Sequence, residues 1–230
     1  MNTEFFDAIK KGDLGKIEHL LSVTPCLTYE KDENGLTPVM VAAYSQHQKV
    51  LEFLSEQSGS LNIFEAAATG KTNQVLRHIA RDSTLTNAYA SDGFQPLGLA
   101  CFFGHYETVE HLIRLGAAIN SPSRNMLGAT PIHSATAAGH MKIVLLLIRN
   151  NANPNARDIN GMTPLHIAAQ NGDTSMLRTL LFNGADMNIR SRKEKLAIDL
   201  AMEAGHEDAV KLIKEGITRR FKPGYLTANN

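Results

Sequence analysis

The chain has 230 residues, 43% of them hydrophobic, which is enough to bury the core of one or two domains. Lys and Arg total 23 and Asp and Glu total 23, so no net charge marks the protein for nucleic acid or an anionic membrane surface. Two cysteines without metal-ligand spacing, no apolar run near the roughly 18 residues of a membrane span, and charge in the opening MNTEFFDAIKKGDLGKIEHLL together predict a soluble, cytoplasmic protein.

One phrase recurs along the chain: GLTPVMVAAYSQ from Gly35, GFQPLGLACFFG from Gly93, GATPIHSATAAG from Gly128 and GMTPLHIAAQNG from Gly161. Aligning small residues and the glycine after them places unit starts at Met1, Gly35, Gly59, Gly93, Gly128, Gly161 and Glu194. The steps are 34, 24, 34, 35, 33 and 33 residues, and self-similarity at a fixed period is the mark of a stacked repeat array.

Each unit reads as a short helix, a second helix and an extended hairpin. In the unit of Gly161, Thr163 is a helix cap whose hydroxyl can satisfy a free helical amide, and Pro164 stands at the first helical position. Leu165 points inward, Ala168 and Ala169 let neighbouring helices approach, and Gly172 ends the helix. Met176, Leu177, Leu180 and Leu181 then mark a second helix, which Gly184 stops. The second unit departs from the others. SEQSGSLNIFEAAATG runs almost directly from its last helix into the next unit, so one finger is expected to be missing near Glu56–Ser60. The hairpin before Gly128, GAAINSPSRNML, is two residues longer than its neighbours.

Thr163–His166 (TPLH) and Thr130–His133 (TPIH) carry a resemblance to the ankyrin repeat, a 33-residue unit of two antiparallel helices and a β-turn with the signature T-P-L-H-x-A. The resemblance covers residues 1 to about 217 and implies an all-α solenoid of about seven repeats with β-hairpin fingers, followed by a tail at 218–230. The end units, TEFFDAIKKGD and LAIDLAMEAGH, replace outward apolar positions with charge, as capping repeats need. DGFQPLGLACFFGH at Asp92–His105 is similar more narrowly to small stand-alone ankyrin proteins of bacteria.

Chemical motifs give way to the repeat register. Gly70-Lys71-Thr72 ends like a phosphate loop, but Glu65 stands where that loop needs glycine. His105, His140 and His206 share one register position and His133 and His166 another, so stacking separates them by helix-packing distances instead of converging them on a metal. The His133 and His166 rings are expected to bridge adjacent hairpins. Asn87, Asn120, Asn155 and Asn188 recur as residues that satisfy backbone groups at the hairpin base. Cys101 takes a buried, inert position. No catalytic signature, cofactor motif or metal set is found. In the tail, Arg219, Arg220 and Lys222 read as a solvated end, with residues 222–230 mobile unless they fold back.

The resemblance implies binding of a protein partner by a monomer through the concave face, without enzyme activity of its own, nucleic acid or membrane. A protein that blocks one specific enzyme, an inhibitor or immunity-type protein, is a special case of the same class. By register the binding positions are Tyr44, Phe94, Phe102, Phe103, Met126, Leu127 and Met162, with Ile159 in the register of Met126. For Phe102 and Phe103 two readings stand open: contact with a partner, or packing into the space beside the missing finger.

Overall fold

Helix pairs follow one another through the chain as a stack. The computed structural model describes residues 2–218, with side chains to residue 215. The pairs are α1 (Thr3–Lys11) with α2 (Leu14–Val23), α3 (Pro38–Ser45) with α4 (Gln48–Gln57), and α5 (Ile63–Ala68) with α6 (Thr72–Arg81). Then come α7 (Pro96–Phe103) with α8 (Tyr106–Arg114), α9 (Pro131–Ala137) with α10 (Met141–Arg149), α11 (Pro164–Gln170) with α12 (Thr174–Phe182), and α13 (Ala197–Glu203) with α14 (Glu207–Thr218). These are the seven expected units. The tail from residue 219 lies outside the described residues.

The first helices form the inner row because their faces are nearly all small. Ala42, Ala66, Ala67, Ala100, Cys101, Ala135, Ala168, Ala169 and Ala201 are buried with at most 1% exposure, so successive helices pack backbone against backbone. Leu54, Val75, Val109, Leu112, Leu147, Leu177 and Leu180 of the second helices close the same continuous core.

Prolines open α3, α7, α9 and α11 at their first turn, where the missing N–H costs no hydrogen bond. The Thr163 side chain sits in a capping box with His166, at the N-cap position expected. It bonds His166 Nδ1 at 2.8 Å, and the Thr163 N–H donates to the same nitrogen at 3.2 Å. An amide N–H can only donate, so Nδ1 is the acceptor and the Nε2 proton goes to the Lys195 carbonyl at 3.1 Å. His133 repeats the pattern, with Thr130 on one side and the Met162 carbonyl on the other. Each TPLH histidine is therefore a bridge to the next unit, as its register predicts.

A second row of imidazoles staples the turn between the two helices. His47, His105, His140 and His206 donate from Nε2 to the carbonyls of Lys10, Ala68, Phe102 and Gln170 in the unit before. Each ring lies over the previous unit's glycine: a Cβ on Gly104 would sit 2.6 Å from the His140 ring. Gly70 belongs to this row, at φ +68 beneath the His105 ring, and the Thr72 hydroxyl is buried against that of Thr108 at 2.8 Å. The Gly70-Lys71-Thr72 run is thus a repeat junction.

The fingers are shorter than the hairpins expected. Among the described residues no strand forms; each finger is one turn held by a closing backbone bond across its base and a second main-chain bond within the turn before the chain enters the next helix. The five closures are Asp32 to Leu36, Ala90 to Phe94, Ser123 to Ala129, Asp158 to Met162 and Ser191 to Lys195, at 2.8–2.9 Å. Side chains replace the missing ladder. Asp32, Asp92, Asn125 and Asp158 each accept an amide two residues on, and Asp32 and Asp158 accept a second amide four residues on.

Between α4 and α5 only residues 58–62 intervene, and no finger forms there. The space does not stay open. The first finger reaches the second across it, through Ser91 Oγ donating to the Gly35 carbonyl at 2.9 Å.

Candidate protein-binding face

Register placed seven apolar residues on one face, and the structure divides them into two sets. Met126 and Leu127, at the tip of the third finger, are 90% and 52% exposed. Ile159 on the fourth finger joins them, 45% exposed, with its N–H bonded to the Leu127 carbonyl at 3.0 Å. These three make an uncovered apolar patch across two fingers. Ile159 belongs to the site although its neighbour Met162 stood for that finger in the sequence reading; its signal was the shared register with Met126.

Tyr44, Phe94, Phe102, Phe103 and Met162 are half-buried. Of the two readings for Phe102 and Phe103, the structure shows packing into the space beside the missing finger. The Phe103 ring lies 5.3 Å from that of Tyr44 and 5.1 Å from that of Phe102, the latter pair edge to face, and Tyr44 and Phe102 are 6.1 Å apart. The unit between them contributes only Ala68 and Thr69 at the corresponding place, at the end of α5. Small residues there leave room that the rings fill. One side of each ring still meets solvent.

Phe94 rests over Gly98, its Cδ1 3.4 Å from where a Cβ would be, and packs on the core together with Phe103 and Tyr44. The main chain of Met162 is occupied on both sides, its amide by Asp158 and its carbonyl by His133.

A chain of hydrogen bonds ties the two sets together. Tyr44 OH donates to Asp92 Oδ2 at 2.7 Å, and Asn125 Nδ2 donates to the Asp92 carbonyl at 2.9 Å. Asn125 Oδ1 accepts the Leu127 amide, and the Leu127 carbonyl accepts Ile159. The Tyr44 phenol is held far above the usual range by burial, and then by the charge of Asp92 beside it, so it stays a proton donor. Arg124 closes the outer side, its guanidinium carbon 4.0 Å over the Tyr89 ring.

The Cys101 thiol is fully buried and pushed far up by that burial. Among the described residues no three His, Cys, Asp or Glu side chains converge to hold a metal. Three of the four row asparagines are spent on backbone: Asn87, Asn120 and Asn155 accept the amides of Ala118, Asn153 and Asp186 at 2.8 Å, and donate to Gly116, Asn151 and Gly184, while Asn188 donates to the Asp186 carboxylate instead. No helix of the described residues is long and apolar enough to cross a membrane.

Comparison with known proteins agrees with this geometry. The family model for ankyrin repeats (three copies) matches residues 5–123, 63–158, 97–191 and 156–220. The chain is similar to the ankyrin repeat and KH domain-containing protein mask of Drosophila melanogaster, 34% identical over 42% of this chain and 2% of that protein. It is similar to alpha-latrocrustotoxin-Lt1a of Latrodectus tredecimguttatus, 27% identical over 62% of this chain and 8% of the toxin. A shorter match, 38% identical over 24% of this chain, is to the NAD-capped RNA hydrolase NUDT12 of Homo sapiens, of which it covers 12%. The chain spans only a small fraction of each of these relatives.

Proposed function

The chain belongs to the ankyrin repeat family, and from that premise we propose that it is a non-catalytic binding module whose partner is a protein docked across the finger tips and the adjoining inner helices. The observation that carries this reading is the apolar patch of Met126, Leu127 and Ile159, raised on two fingers with nothing over it. A soluble surface that groups such side chains usually meets a partner there, and Met and aromatic residues concentrate at interface centres. The half-buried rings of Tyr44, Phe94, Phe102 and Phe103, with Met162, extend the patch inward. In this reading the module works as a cytoplasmic monomer without cofactor, metal, nucleic acid or membrane.

The test is capture by the full chain of cross-linked partners from its host, compared with Leu127→Asp and Ile159→Asp. Val23→Asp serves as control, because Val23 is 69% exposed on α2, away from the fingers. A partner lost with the finger variants and kept with the control supports the reading. Equal loss in all three, or in none, refutes it.

A further inference from the structure

Net charge is zero for the whole chain, but the fingers are not neutral. The segments leading into and through the fourth and fifth fingers carry Arg157, Arg190, Arg192 and Lys193, all exposed. Gly161 shows how two of them converge beside the apolar patch. A Cβ there would lie 2.7 Å from Arg157 Nη2 and 3.3 Å from Arg192 Cγ, and Arg192 N bonds the Asn160 carbonyl, one residue from Ile159. The guanidinium of Arg157 donates to the Arg190 carbonyl, and Arg190 to the carbonyl of Glu194; both acceptors are neutral main chain.

None of the four is in an ion pair among the described residues, unlike Lys195, which pairs with Glu203. The nearby acids cancel them only in part. Asp158, whose Oδ1 accepts the amides of Asn160 and Met162, and Glu194 supply two carboxylate charges against the four cations. The patch is bordered by Arg124 on one side and by the cations of the fourth and fifth fingers on the other.

We propose that this finger edge recognises a protein segment in which an exposed apolar side chain is flanked by carboxylates. The apolar group covers Met126, Leu127 and Ile159, while the acidic neighbours lie against Arg157, Arg192 and Lys193. This deepens the binding reading above and rests on it. Exposed guanidinium groups accept carboxylates in paired geometry, and complementary charge at a rim chiefly sets partner choice and association rate. A phosphate-bearing partner would use the same cations but gains nothing from three exposed aliphatic side chains in their midst, so protein is favoured.

The experiment selects short random peptides displayed in a library against the full chain, with single-stranded oligonucleotide and phosphatidylserine-containing vesicles as parallel probes. Enriched peptides should pair Asp or Glu with a large apolar residue. Their affinity should fall roughly tenfold with Arg192→Glu/Lys193→Glu, about threefold with Arg192→Gln/Lys193→Gln, and with rising salt. Leu127→Asp and Ile159→Asp should abolish it. The substituted side chains are exposed, and thermal melting confirms each fold.

Enriched peptides without acidic bias, indifferent to the charge reversal but lost with Leu127→Asp, overturn this inference and leave the binding reading standing. Peptides indifferent to Leu127→Asp and Ile159→Asp overturn both. An empty selection, or oligonucleotide or vesicles bound in place of peptide, overturns the proposed partner chemistry.

Discussion

Two glycines at the same place in successive repeats allow the histidine staple to be measured. Gly104 and Gly139 each follow the first helix of a unit, with φ of +83 and +75. An alanine at either position must adopt the left-handed conformation, which costs about 1 kcal/mol. Beyond that the two sites differ. A Cβ on Gly139 meets nothing within 4 Å, whereas on Gly104 it meets His140 Cε1 at 2.6 Å and Nε2 at 2.8 Å. The ring would have to leave, taking with it the 3.0 Å bond to the Phe102 carbonyl, worth about 0.5–1.5 kcal/mol net, and part of its packing. Gly104→Ala should therefore cost about 2–3 kcal/mol in urea denaturation and Gly139→Ala about 1 kcal/mol. In a His140→Ala background the cost of Gly104→Ala should fall to that of Gly139→Ala, a coupling of about 1–2 kcal/mol in the double-mutant cycle. Equal costs for the two glycines, or an additive cycle, would refute the idea that the next unit's imidazole holds this turn.

Three further expectations follow from the same contacts. Burial lowers the pKa of His105, His133 and His166 below the ordinary value of 6.5, so as pH falls through about 6.5 the unfolded chain takes up protons first; the urea midpoint should hold above neutrality and drop between pH 7 and 5, and a midpoint that rises on acidification would contradict the burial argument. Phe103→Ala should cost about 2 kcal/mol of stability, roughly half of what a fully buried ring costs, and should also weaken partner binding; a loss in only one of the two measurements would return the ring to a single role. A thiol reagent at mildly alkaline pH should modify exposed Cys26 promptly and leave buried Cys101 untouched until the chain unfolds, as followed by mass spectrometry, and labelling of both in the native protein would show that the stack opens there.

The repeat was legible because its letters act locally. Pro164 starts a helix, Gly172 ends one, and the alanines between them permit close packing, so each reads the same in isolation as in the stack. Thr163 was placed correctly as a cap, but its bond to the imidazole was not legible, because the ring is set by the Lys195 carbonyl, which fixes His166 from 29 residues away. The missing finger was visible as a short step, yet its consequence was not. That the fingers of Gly35 and Ser91 would meet depends on how closely three units stack once the one between them is clipped. Exposure was the least legible property. Met126 and Phe94 both fall on the face by register, but Phe94 finds Gly98 beneath it and sinks, while Met126 stands at the end of a finger lengthened by two residues.

The clipped repeat bears directly on how the face would bind. With a finger in the usual place, Tyr44 would face its own neighbour's turn; without it, the phenol reaches Asp92 on the second finger, 48 residues along the chain. Asp92 then holds both its own turn, through the Phe94 amide, and the next finger, through Asn125. Fingers this short have few main-chain bonds of their own, two within each turn and, from the second finger on, one or two to the neighbouring fingers. Side chains add to these: Tyr44, Asp92 and Asn125 form a bonded line that ends at Leu127, whose carbonyl carries Ile159. A patch fixed before a partner arrives loses less side-chain and loop entropy on docking, and that cost is among the main reasons why buried area does not convert into affinity. The 24-residue step is in this sense the origin of the surface, because it brings the first two fingers into contact and so anchors the line on which the apolar tips depend.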